Sequence, residues 1–589
     1  MSQPTSISPD VCSVWELLVQ RVQATPAAEA LSWQSGEGIG WRSSWAELKR
    51  DAEQVAAALL GSGVRPADLV LVCAPTSPHF WLIELACVRL GVRLAGVEPH
   101  ASQEQTQATL LITQPALLVG TATSLRRCIS ETPTVLLDLE LPPDRDPSWQ
   151  AFLARGRGQA LPPPPVPSMP ATVVFSSGTT GAPKSLCYRQ DQLVLASVQL
   201  AGLFGAEVGP SRQAIAWLPM AALYQRVLNL VAIQTGTPTH FVSDPLKIVD
   251  VFEVVAPTII TGVPRFFEKV YHSVWQNLRR RGPLAVALLR VALQLGSWVA
   301  QCRSQGRSPN FLLRRCHAFL DRRVLSRVRR LFGANVRWLV SGSAALPEWL
   351  LCFYEALGLP VLEAYGVSEN IVPVTANSPR EHRRGSVGKP LPANEVRLAA
   401  DGEVQVRGAG VFSGYAHAET PAYFTNDGFY CTGDLGRFDA DGFLYLTGRK
   451  AEMFKLSTGR QVSPTRLEAL YRQSPVIEQV VVLGLGQAFP VALIKAQAEA
   501  NSTAKVLQTR VQAELERLGG ALPLHERVRH FALLERPLSI ERGELTSSLK
   551  LRRAEIARRH ARTIAEIYDH ARDLPDHGQS THNVAQGFV

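Results

Sequence analysis

The fold of this chain is decided by residues 175–184, which are Phe175-Ser176-Ser177-Gly178-Thr179-Thr180-Gly181-Ala182-Pro183-Lys184. They follow a β-branched run, residues 172–174, that predicts a strand. The two glycines allow the backbone to turn and to approach an anion closely. Four hydroxyl groups and Lys184 add donors to those of the backbone N–H groups, and Pro183 limits how far the loop can rearrange. The stretch therefore predicts a loop that holds the phosphates of ATP.

A Walker-type loop and an ordinary surface loop are the alternatives for this stretch. A Walker-type nucleotide loop requires Gly-x-x-x-x-Gly-Lys-Ser/Thr, and here Pro183 stands before Lys184 where glycine is needed. That class is therefore excluded. An ordinary surface loop rich in serine, threonine and glycine would have the same composition. Motifs further along the chain favour the phosphate loop over the surface loop.

The composition predicts a globular protein with more than one domain. A chain of 589 residues is too long for one hydrophobic core, and its 46% hydrophobic content can fill at least two. Its nine cysteines are odd in number and form no Cys-x-x-Cys pair, which favours a reducing compartment and argues against structural zinc. Residues 1–10 show no secretory signal. We therefore expect a cytoplasmic protein, with a peripheral position on a membrane surface as the alternative.

Positive charge is concentrated in one part of the chain. Between Arg279 and Arg330 there are thirteen arginines and a single acidic residue, Asp321. Arg290 interrupts the apolar run 284–300, and a membrane-spanning helix needs about 20 uninterrupted apolar residues, so we do not expect one. The pattern fits either an amphipathic surface that lies on anionic lipid or a basic solvated helical face, and the sequence does not decide between them. No nucleic-acid recognition motif accompanies the charge, so no nucleic-acid partner is expected.

The order of segments predicts an α/β fold. Helix-like and strand-like runs alternate in residues 14–90, which indicates layered α/β sheets. Between residues 402 and 446, Asp-Gly pairs flanked by β-forming residues predict hairpins and hence a β subdomain. We expect a large N-terminal domain at residues 1–449, a smaller, mobile α+β domain at 450–573 and a polar tail at 574–589.

Several later segments, taken with the first, resemble the adenylate-forming (AMP-binding) superfamily of acyl-CoA synthetases, peptide-synthetase adenylation domains and luciferases. The resemblance extends from about residue 14 to residue 553 and covers nearly the whole chain. Its motifs follow the order found in that superfamily: residues 176–184, Tyr365-Gly366-Val367-Ser368-Glu369, Thr432-Gly433-Asp434, Gly448-Arg449-Lys450 and Gly543-Glu544-Leu545-Thr546-Ser547-Ser548-Leu549-Lys550. Each motif alone is weak, whereas five in this order are specific.

The resemblance implies a nucleotide site built from these motifs. Joining a carboxylate to ATP brings two anions together, so the site needs cations and oriented donors. Lys184 would contact the β- and γ-phosphates with Thr179 and Thr180, and Glu369 would help to hold Mg²⁺. Asp434, which we expect to follow a strand and Gly433, would accept both ribose hydroxyls, and Arg449 would make a second contact to the ribose or a phosphate. The other nucleotide-binding residues implied are Ser176, Ser177, Gly178, Gly181, Ser343, Ala344, Ala364, Tyr365 (as the residue that stacks on adenine), Gly366 and Ser368.

Taken singly, three of these residues could have simpler roles. Asp434 could be an ordinary turn aspartate, Glu369 the start of a helix after the cap-like Ser368, and Tyr365 a core residue. The full set of motifs favours the nucleotide site.

The resemblance also implies a catalytic lysine and a moving domain. Lys550 would reach from the small domain to the carboxylate and α-phosphate oxygens, and an exposed lysine in a basic run is the alternative. The small domain of this superfamily rotates about a hinge that corresponds to Ala451, where relatives usually carry Asp or Lys. Residues 455–464 resemble the hairpin that lines the pantetheine tunnel, where Gly459 would let the thiol arm approach closely. ATP, Mg²⁺ and CoA are the expected cofactors.

Two further segments, residues 218–226 and 257–271, resemble the long-chain fatty acyl-CoA synthetase branch. The first departs from it at Ala222, where histidine is usual and lies near the acyl carboxylate in that family, and at Gln225, where many relatives carry glutamate. In residues 341–346, Ser343 replaces a usual glycine. The resemblance implies an ATP-dependent acid:CoA ligase for a long-chain or other hydrophobic acid, and the departures favour an unusual acid, as in secondary metabolism.

Two alternatives to this function stay open at this point. One is an acyl-AMP ligase that loads the phosphopantetheine of an acyl carrier protein, because CoA and the carrier end in the same thiol arm. The other is a degenerate, non-catalytic member at a membrane surface.

Overall fold

The computed structural model describes residues 12–33, 40–99, 101–176, 184–414, 423–451, 453–497, 503–539, 542–545 and 551–572. The chain divides into two compact units, Met1–Leu446 and Thr447–Val589. The predicted domain boundary at residue 449 lies close to this division. The predicted tail at 574–589 lies outside the described residues.

The strands up to the division between the units are β1 (Glu29–Trp33), β2 (Trp41–Ser44), β3 (Leu69–Cys73), β4 (Arg93–Gly96), β5 (Leu117–Thr121), β6 (Thr134–Leu137), β7 (Pro170–Ser176), β8 (Lys184–Arg189), β9 (Ala214–Ala216), β10 (Thr239–Phe241), β11 (Ile259–Gly262), β12 (Trp338–Ser341), β13 (Val361–Tyr365), β14 (Thr375–Ala376), β15 (Lys389–Pro390), β16 (Asn394–Leu398), β17 (Glu403–Gly408), β18 (Tyr430–Phe438) and β19 (Leu444–Arg449).

The helices of the first unit are α1 (Val14–Ala24), α2 (Trp45–Gly61), α3 (Pro78–Leu90), α4 (Gln103–Thr113), α5 (Ala122–Leu125), α6 (Pro147–Ala154), α7 (Gln190–Phe204), α8 (Leu223–Thr235), α9 (Ile248–Val255), α10 (Pro264–Arg280), α11 (Pro283–Ser304), α12 (Phe311–Leu320), α13 (Ser326–Arg329) and α14 (Glu348–Ala356).

The described strands β1 to β19, the last of which crosses the division at residue 446, form four sheets. The largest has the order β6-β5-β3-β4-β7-β8, the second β11-β12-β13-β14-β15, and two four-stranded sheets have the orders β2-β1-β10-β9 and β16-β17-β18-β19. In the largest sheet the strands are parallel except for the antiparallel pair β7 and β8. Strand β3 is buried along its whole length, as expected for a parallel strand covered on both faces.

Local sequence accounts for where these helices begin and end. Helix α2 begins at a capping box, in which Ser44 accepts the backbone N–H of Glu47 and the Glu47 side chain accepts that of Ser44. Helix α3 follows the cap Ser77 and ends at Gly91, whose φ of 70° is left-handed. Every residue of α3 is buried, including His79, Glu84 and Arg89, so this mostly apolar helix has no solvent-facing side.

The predicted hairpins at the Asp-Gly pairs are confirmed. Strands β16 and β17 pair across Asp401-Gly402, with Leu398 opposite Val404. Gly402 has a φ of 84°, so the turn needs a residue that tolerates the left-handed region. The β subdomain therefore forms from local turn chemistry.

The second unit contains strands β20 (Phe454–Lys455), β21 (Gln461–Val462), β22 (Ile477–Leu483), β23 (Val491–Ala496) and β24 (His530–Leu533), and helices α15 (Pro464–Tyr471), α16 (Ala504–Gly519), α17 (Arg553–Arg559) and α18 (Ala561–Arg572). Strands β22, β23 and β24 form one sheet, and β20 pairs with β21. An apolar cluster that includes Val480, Ile494 and Leu515 forms the core of this unit.

Candidate active site

The predicted phosphate loop lies in the connection between two paired strands. Residues 172–174 belong to β7, as the sequence predicted, and Ser176 at its end is opposite Lys184, the first residue of β8. The predicted residues Ser177, Gly178, Thr179, Thr180 and Gly181 lie outside the described residues. The structure thus places Lys184 at the end of a strand, next to this connection.

The side chain of Lys184 contacts Tyr423. Its Nζ lies 2.8 Å from the phenol oxygen of Tyr423 and 4.9 Å from the centre of the ring. The ammonium group donates a hydrogen bond to the phenol oxygen and also lies over the face of the ring. Tyr423 therefore fixes where the charge of Lys184 lies.

Strand β8 also contacts the motif that contains Glu369. The phenol of Tyr188 on β8 donates a hydrogen bond to the backbone oxygen of Ser368 over 2.5 Å. Glu369 lies in a turn after β13 and not at the start of a helix, so that simpler interpretation of Glu369 is wrong. Its backbone oxygen accepts a hydrogen bond from the N–H of Phe412, and its side chain is half-buried. Strand β8 thus begins with Lys184 and contacts the residue that precedes Glu369.

Tyr365 and Asp434 are joined directly. The phenol of Tyr365 donates a hydrogen bond of 2.7 Å to Oδ2 of Asp434. The sequence placed Asp434 after a strand, and this is wrong, because Asp434 is buried in the middle of β18. The strand continues because β17 and β18 pair through an irregularity, at which Gly433 has a φ of 73° and donates its N–H to Glu403. A simple turn aspartate is therefore also excluded.

Tyr365 itself is a core residue as well as a partner of Asp434. It is buried within the main apolar cluster of the first unit. Core packing and a hydrogen bond are thus both observed for this side chain. Of its neighbours in the motif, Ala364 pairs with Ala376 between β13 and β14, whereas Gly366 is exposed.

Residues 341–346 are attached to β13 by a buried carboxyl. Oε1 of Glu363 accepts the backbone N–H of Leu346 at 2.9 Å, and burial raises the pKa of Glu363 to about 7 although this hydrogen bond opposes the rise. Ser343 has a φ of 73°, a left-handed conformation that explains why glycine is the usual residue there. Ser343 and Ala344 are both exposed.

The segment that resembles an acyl site adjoins residues 341–346. A Cβ at Gly342 would lie 3.8 Å from ring atoms and the hydroxyl oxygen of Tyr224. The side chain of Gln225 is buried and accepts the backbone N–H groups of Trp217 and Leu218. Ala222 is exposed at the N-terminus of α8, where it makes no side-chain cap. The side-chain amide of Gln225 therefore holds the backbone of Trp217 and Leu218 against the start of α8.

A buried ion pair joins the same segment to helix α3. Nε of Arg226 lies 2.7 Å from Oε1 of Glu84 on α3, and both side chains are buried. Burial raises the pKa of Glu84, and the charge of Arg226 opposes this rise. Removing one member would leave the other charge buried without compensation, which is strongly destabilising.

The described residues contain no group of three or more His, Cys, Asp or Glu side chains placed to hold a metal ion. Glu369 is a single half-buried carboxylate. One carboxylate fits Mg²⁺ that is bound mainly through substrate phosphates, which is how this ion is commonly held. Glu369 would then supply the protein oxygen ligand.

The remaining predicted residues belong to the second unit. Arg449 and Ala451 are exposed, and Lys550 lies outside the described residues. The predicted hairpin at 455–464 is confirmed by the pairing of β20 with β21. Gly459 lies in its turn with a φ of 82° and is exposed.

Residues 18–416 match the family profile described as AMP-binding enzyme, and residues 452–572 match its C-terminal domain. This chain belongs to the AMP-binding enzyme family. The enzyme is 32% identical to the long-chain-fatty-acid–CoA ligase FadD15 of Mycobacterium bovis over 90% of its own length and 93% of that protein. The adenylate-forming assignment made from the motifs is thereby confirmed.

Two solved structures show the same fold. The enzyme matches o-succinylbenzoate CoA synthetase of Bacillus subtilis, in complex with an acyl-adenylate intermediate, with a TM-score of 0.69, 18% identity and coverage of 92% of this chain and 98% of that one. It matches the A-PCP didomain of a carboxylic acid reductase from Segniliparus rugosus with a TM-score of 0.74, 18% identity and coverage of 96% and 83%. The predicted α/β fold with a large N-terminal and a smaller C-terminal domain is confirmed.

Several residues that the structure brings to the site were not predicted from the motifs. Tyr423 and Tyr188 contact residues that are 239 and 180 positions away in the sequence. Glu363 stands two residues before Tyr365, and a buried acid next to a motif was the available signal. No local pattern distinguishes Tyr423 from a core tyrosine.

Proposed function

We propose that this enzyme uses ATP and Mg²⁺ to activate a long-chain or other hydrophobic carboxylic acid as an acyl adenylate and then forms the CoA thioester. The carboxylate would attack the α-phosphate and release pyrophosphate, and the thiol of CoA would then displace AMP. The observation that carries the proposal is the direct contact between Tyr365 and Asp434 in a chain whose relatives are named long-chain-fatty-acid–CoA ligases. Such an acid partitions into bilayers, so peripheral membrane contact through residues 279–330 fits this function.

The residue roles in this proposal follow the charges that the reaction must handle. Cations and hydroxyl donors belong at the phosphates, one carboxylate belongs at Mg²⁺ and another at the ribose diol. The residues are Ser176, Ser177, Gly178, Thr179, Thr180, Gly181 and Lys184 for the β- and γ-phosphates, Glu369 for Mg²⁺, Ser343, Ala344, Ala364, Tyr365, Gly366 and Ser368 for the adenosine and α-phosphate, Asp434 and Arg449 for the ribose, Lys550 for the carboxylate and α-phosphate, and Gly459 for the thiol arm.

Mass-spectrometric detection of the thioester tests the proposal. The purified enzyme is incubated with ATP, CoA and a mixture of acids, and Lys550→Ala is compared with Lys505→Ala, a surface change in the same unit. We expect thioester from the wild type and from Lys505→Ala, and a strong loss of adenylate formation in Lys550→Ala. Full-rate adenylate formation by Lys550→Ala would contradict the role of Lys550. Absence of any acid-dependent exchange between pyrophosphate and ATP would contradict the enzymatic function.

The choice of acid and acceptor needs two further comparisons. Pyrophosphate release is measured across a panel of acids, and highest turnover with palmitate and oleate would contradict the specialised acid that Ala222 and Ser343 favour. CoA is then compared with a phosphopantetheinylated carrier protein at equal concentration. Faster loading of the carrier would favour the second candidate, an acyl-AMP ligase.

A further inference from the structure

Helices α11 and α12 pack against each other and expose large apolar side chains. We name the exposed sides of these two helices the α11–α12 surface. On α11, four apolar residues recur at intervals of four, three and seven positions and therefore lie along one side, with exposures of 43% to 73%: Leu284, Leu288, Val291 and Trp298. On α12, the exposures are 62% to 71% for Phe311, Leu312 and Phe319. An exposed apolar patch of this kind marks a site of interaction.

A different side of α11 holds the helix on the core. Leu289 and Ala292 belong to an apolar cluster that also contains Phe267 and Leu350, and Val299 is buried as well. A Cβ at Gly296 would lie 2.2 Å from the backbone oxygen of Ala356, so α11 and α14 are in close contact there. The α11–α12 surface is therefore presented from a helix that is fixed to its domain.

Among the described residues, α11 is the one helix with a segment, Pro283–Cys302, that is long and apolar enough to cross a bilayer, and 22% of that segment is buried. A spanning helix would have to leave its contact with α14 and would place Arg290 at the bilayer centre. Arg290, Gln294, Ser297 and Gln301 also form an exposed polar stripe beside the apolar one. Such a helix fits a position in the plane of a membrane interface.

The charge around this surface is strongly positive. The thirteen arginines and one acid in residues 279–330 give +12, whereas the whole chain has +10. The acid, Asp321, is already held by both guanidinium nitrogens of Arg329. The guanidinium groups of Arg315 and Arg323 lie over the exposed rings of Phe311 and Phe319, at 5.3 and 5.7 Å. Apolar side chains that would enter lipid are thus bordered by cations that would meet headgroups.

We propose that the α11–α12 surface docks the enzyme on the anionic surface of a lipid bilayer, with Trp298, Phe311, Leu312 and Phe319 inserted at the interface. A nucleic acid would match the positive charge but would gain little from exposed Leu and Phe side chains. An anionic bilayer matches both the charge and the apolar residues. The proposal rests on the proposed function and deepens it by naming the two helices and the side chains through which the enzyme would meet a hydrophobic acid in the bilayer.

Vesicle co-sedimentation of the full chain, without acid, ATP or CoA, tests the docking separately from the activity. We expect binding to vesicles of phosphatidylcholine with phosphatidylglycerol, weaker binding to phosphatidylcholine alone, and weakening by salt. The triple change Phe311→Ser, Leu312→Ser and Phe319→Ser should weaken binding by at least about tenfold, because it removes the inserted side chains. Leu111→Ser, at an equally exposed leucine on α4, is the matched control and should bind as the wild type does.

Two further variants keep the result specific. Arg314→Glu with Arg315→Glu should lose the preference for phosphatidylglycerol, whereas Arg126→Glu, at an exposed position after α5, should keep it. Lipids brominated in the acyl chains should quench wild-type tryptophan fluorescence, and Trp298→Phe should remove most of that quenching. Equal binding of the wild type and the triple variant, or equal loss in Leu111→Ser, would overturn the proposal. Self-association that the triple change abolishes, without any lipid binding, would instead assign the surface to a second copy of the chain.

Discussion

The phenol of Tyr365 donates a hydrogen bond to Oδ2 of Asp434 over 2.7 Å and so connects the end of β13 to the middle of β18. One residue comes from the sheet that contains β11–β15 and the other from the sheet of β16–β19. This hydrogen bond fixes the orientation of the Asp434 carboxylate. A carboxylate oriented in this way is suited to accept hydroxyl groups of a diol.

The first prediction concerns this pair. Asp434→Ala should lose about 2 kcal/mol of transition-state stabilisation, because hydrogen bonds to a charged acceptor are lost. This loss lowers kcat/KM for ATP roughly thirtyfold. Tyr365→Phe should have a smaller effect, since it removes only the group that orients the carboxylate. The KM for the acid should change little in both variants. Additive effects in the double variant, measured by pyrophosphate exchange, would show that the two residues act independently.

The second prediction concerns the contact of Lys184 with Tyr423. Tyr423→Phe keeps the ring under the ammonium group but removes the oxygen that lies 2.8 Å from it. We expect a loss of about 1 kcal/mol of transition-state stabilisation, because the lysine loses an orienting partner. This loss lowers kcat/KM for ATP about fivefold. Tyr445→Phe is the control, since Arg437 lies over that ring in the same unit. An unchanged kcat/KM for ATP in Tyr423→Phe would rule out positioning of Lys184 by Tyr423.

The third prediction concerns the space between Gly342 and Tyr224. Gly342→Ala adds a Cβ at ordinary contact distance from the Tyr224 ring and should leave stability and activity nearly unchanged. Gly342→Val adds two methyl groups beyond this Cβ, and they must displace the ring, so turnover with long acids should fall more than turnover with short ones. Rates of pyrophosphate release with acids of increasing length measure this shift. Tyr224→Ala should restore turnover in the Gly342→Val background, and failure to do so would place the acid elsewhere.

The fourth prediction concerns pH and Glu363. Its pKa is about 7 in the folded chain and 4.5 as the ordinary value, so between these pH values the folded state holds a proton that the unfolded state has released. The free energy of unfolding therefore decreases as pH rises through this interval and levels off above about 7. Glu363→Gln keeps an acceptor for Leu346 and cannot ionise. The difference in the free energy of unfolding between Glu363→Gln and the wild type should grow by up to about 3 kcal/mol from acidic to neutral pH.

Urea unfolding at several pH values measures this difference. Glu381→Gln provides the control, because Glu381 is exposed and paired with Lys389. Its pH dependence should be parallel to that of the wild type. A parallel profile in Glu363→Gln as well would mean that Glu363 is ionised in the folded protein throughout this range.

Features that depend on neighbouring residues were predictable from the sequence. The strand before Ser177 follows from β-branched residues, and the hairpin at Asp401-Gly402 follows from a glycine with a φ of 84°. The hairpin at 455–464 was predicted from the resemblance. The sequence placed Asp434 after a strand and Gly433, whereas the pairing of β18 with β17 continues past Gly433. Pairing between strands overrides the local preference of one glycine.

The sequence by itself determined the order of the motifs, the family and the concentration of arginine in residues 279–330, because these are properties of residue identity and spacing. The tertiary structure alone decided that Lys184 contacts Tyr423, that Tyr188 contacts Ser368 and that Tyr365 contacts Asp434. It also decided which apolar side chains of α11 and α12 are exposed, a matter that helical spacing left open. The physical reason is that these contacts join residues far apart in the chain, and long-range packing is set by the whole core and not by any local segment.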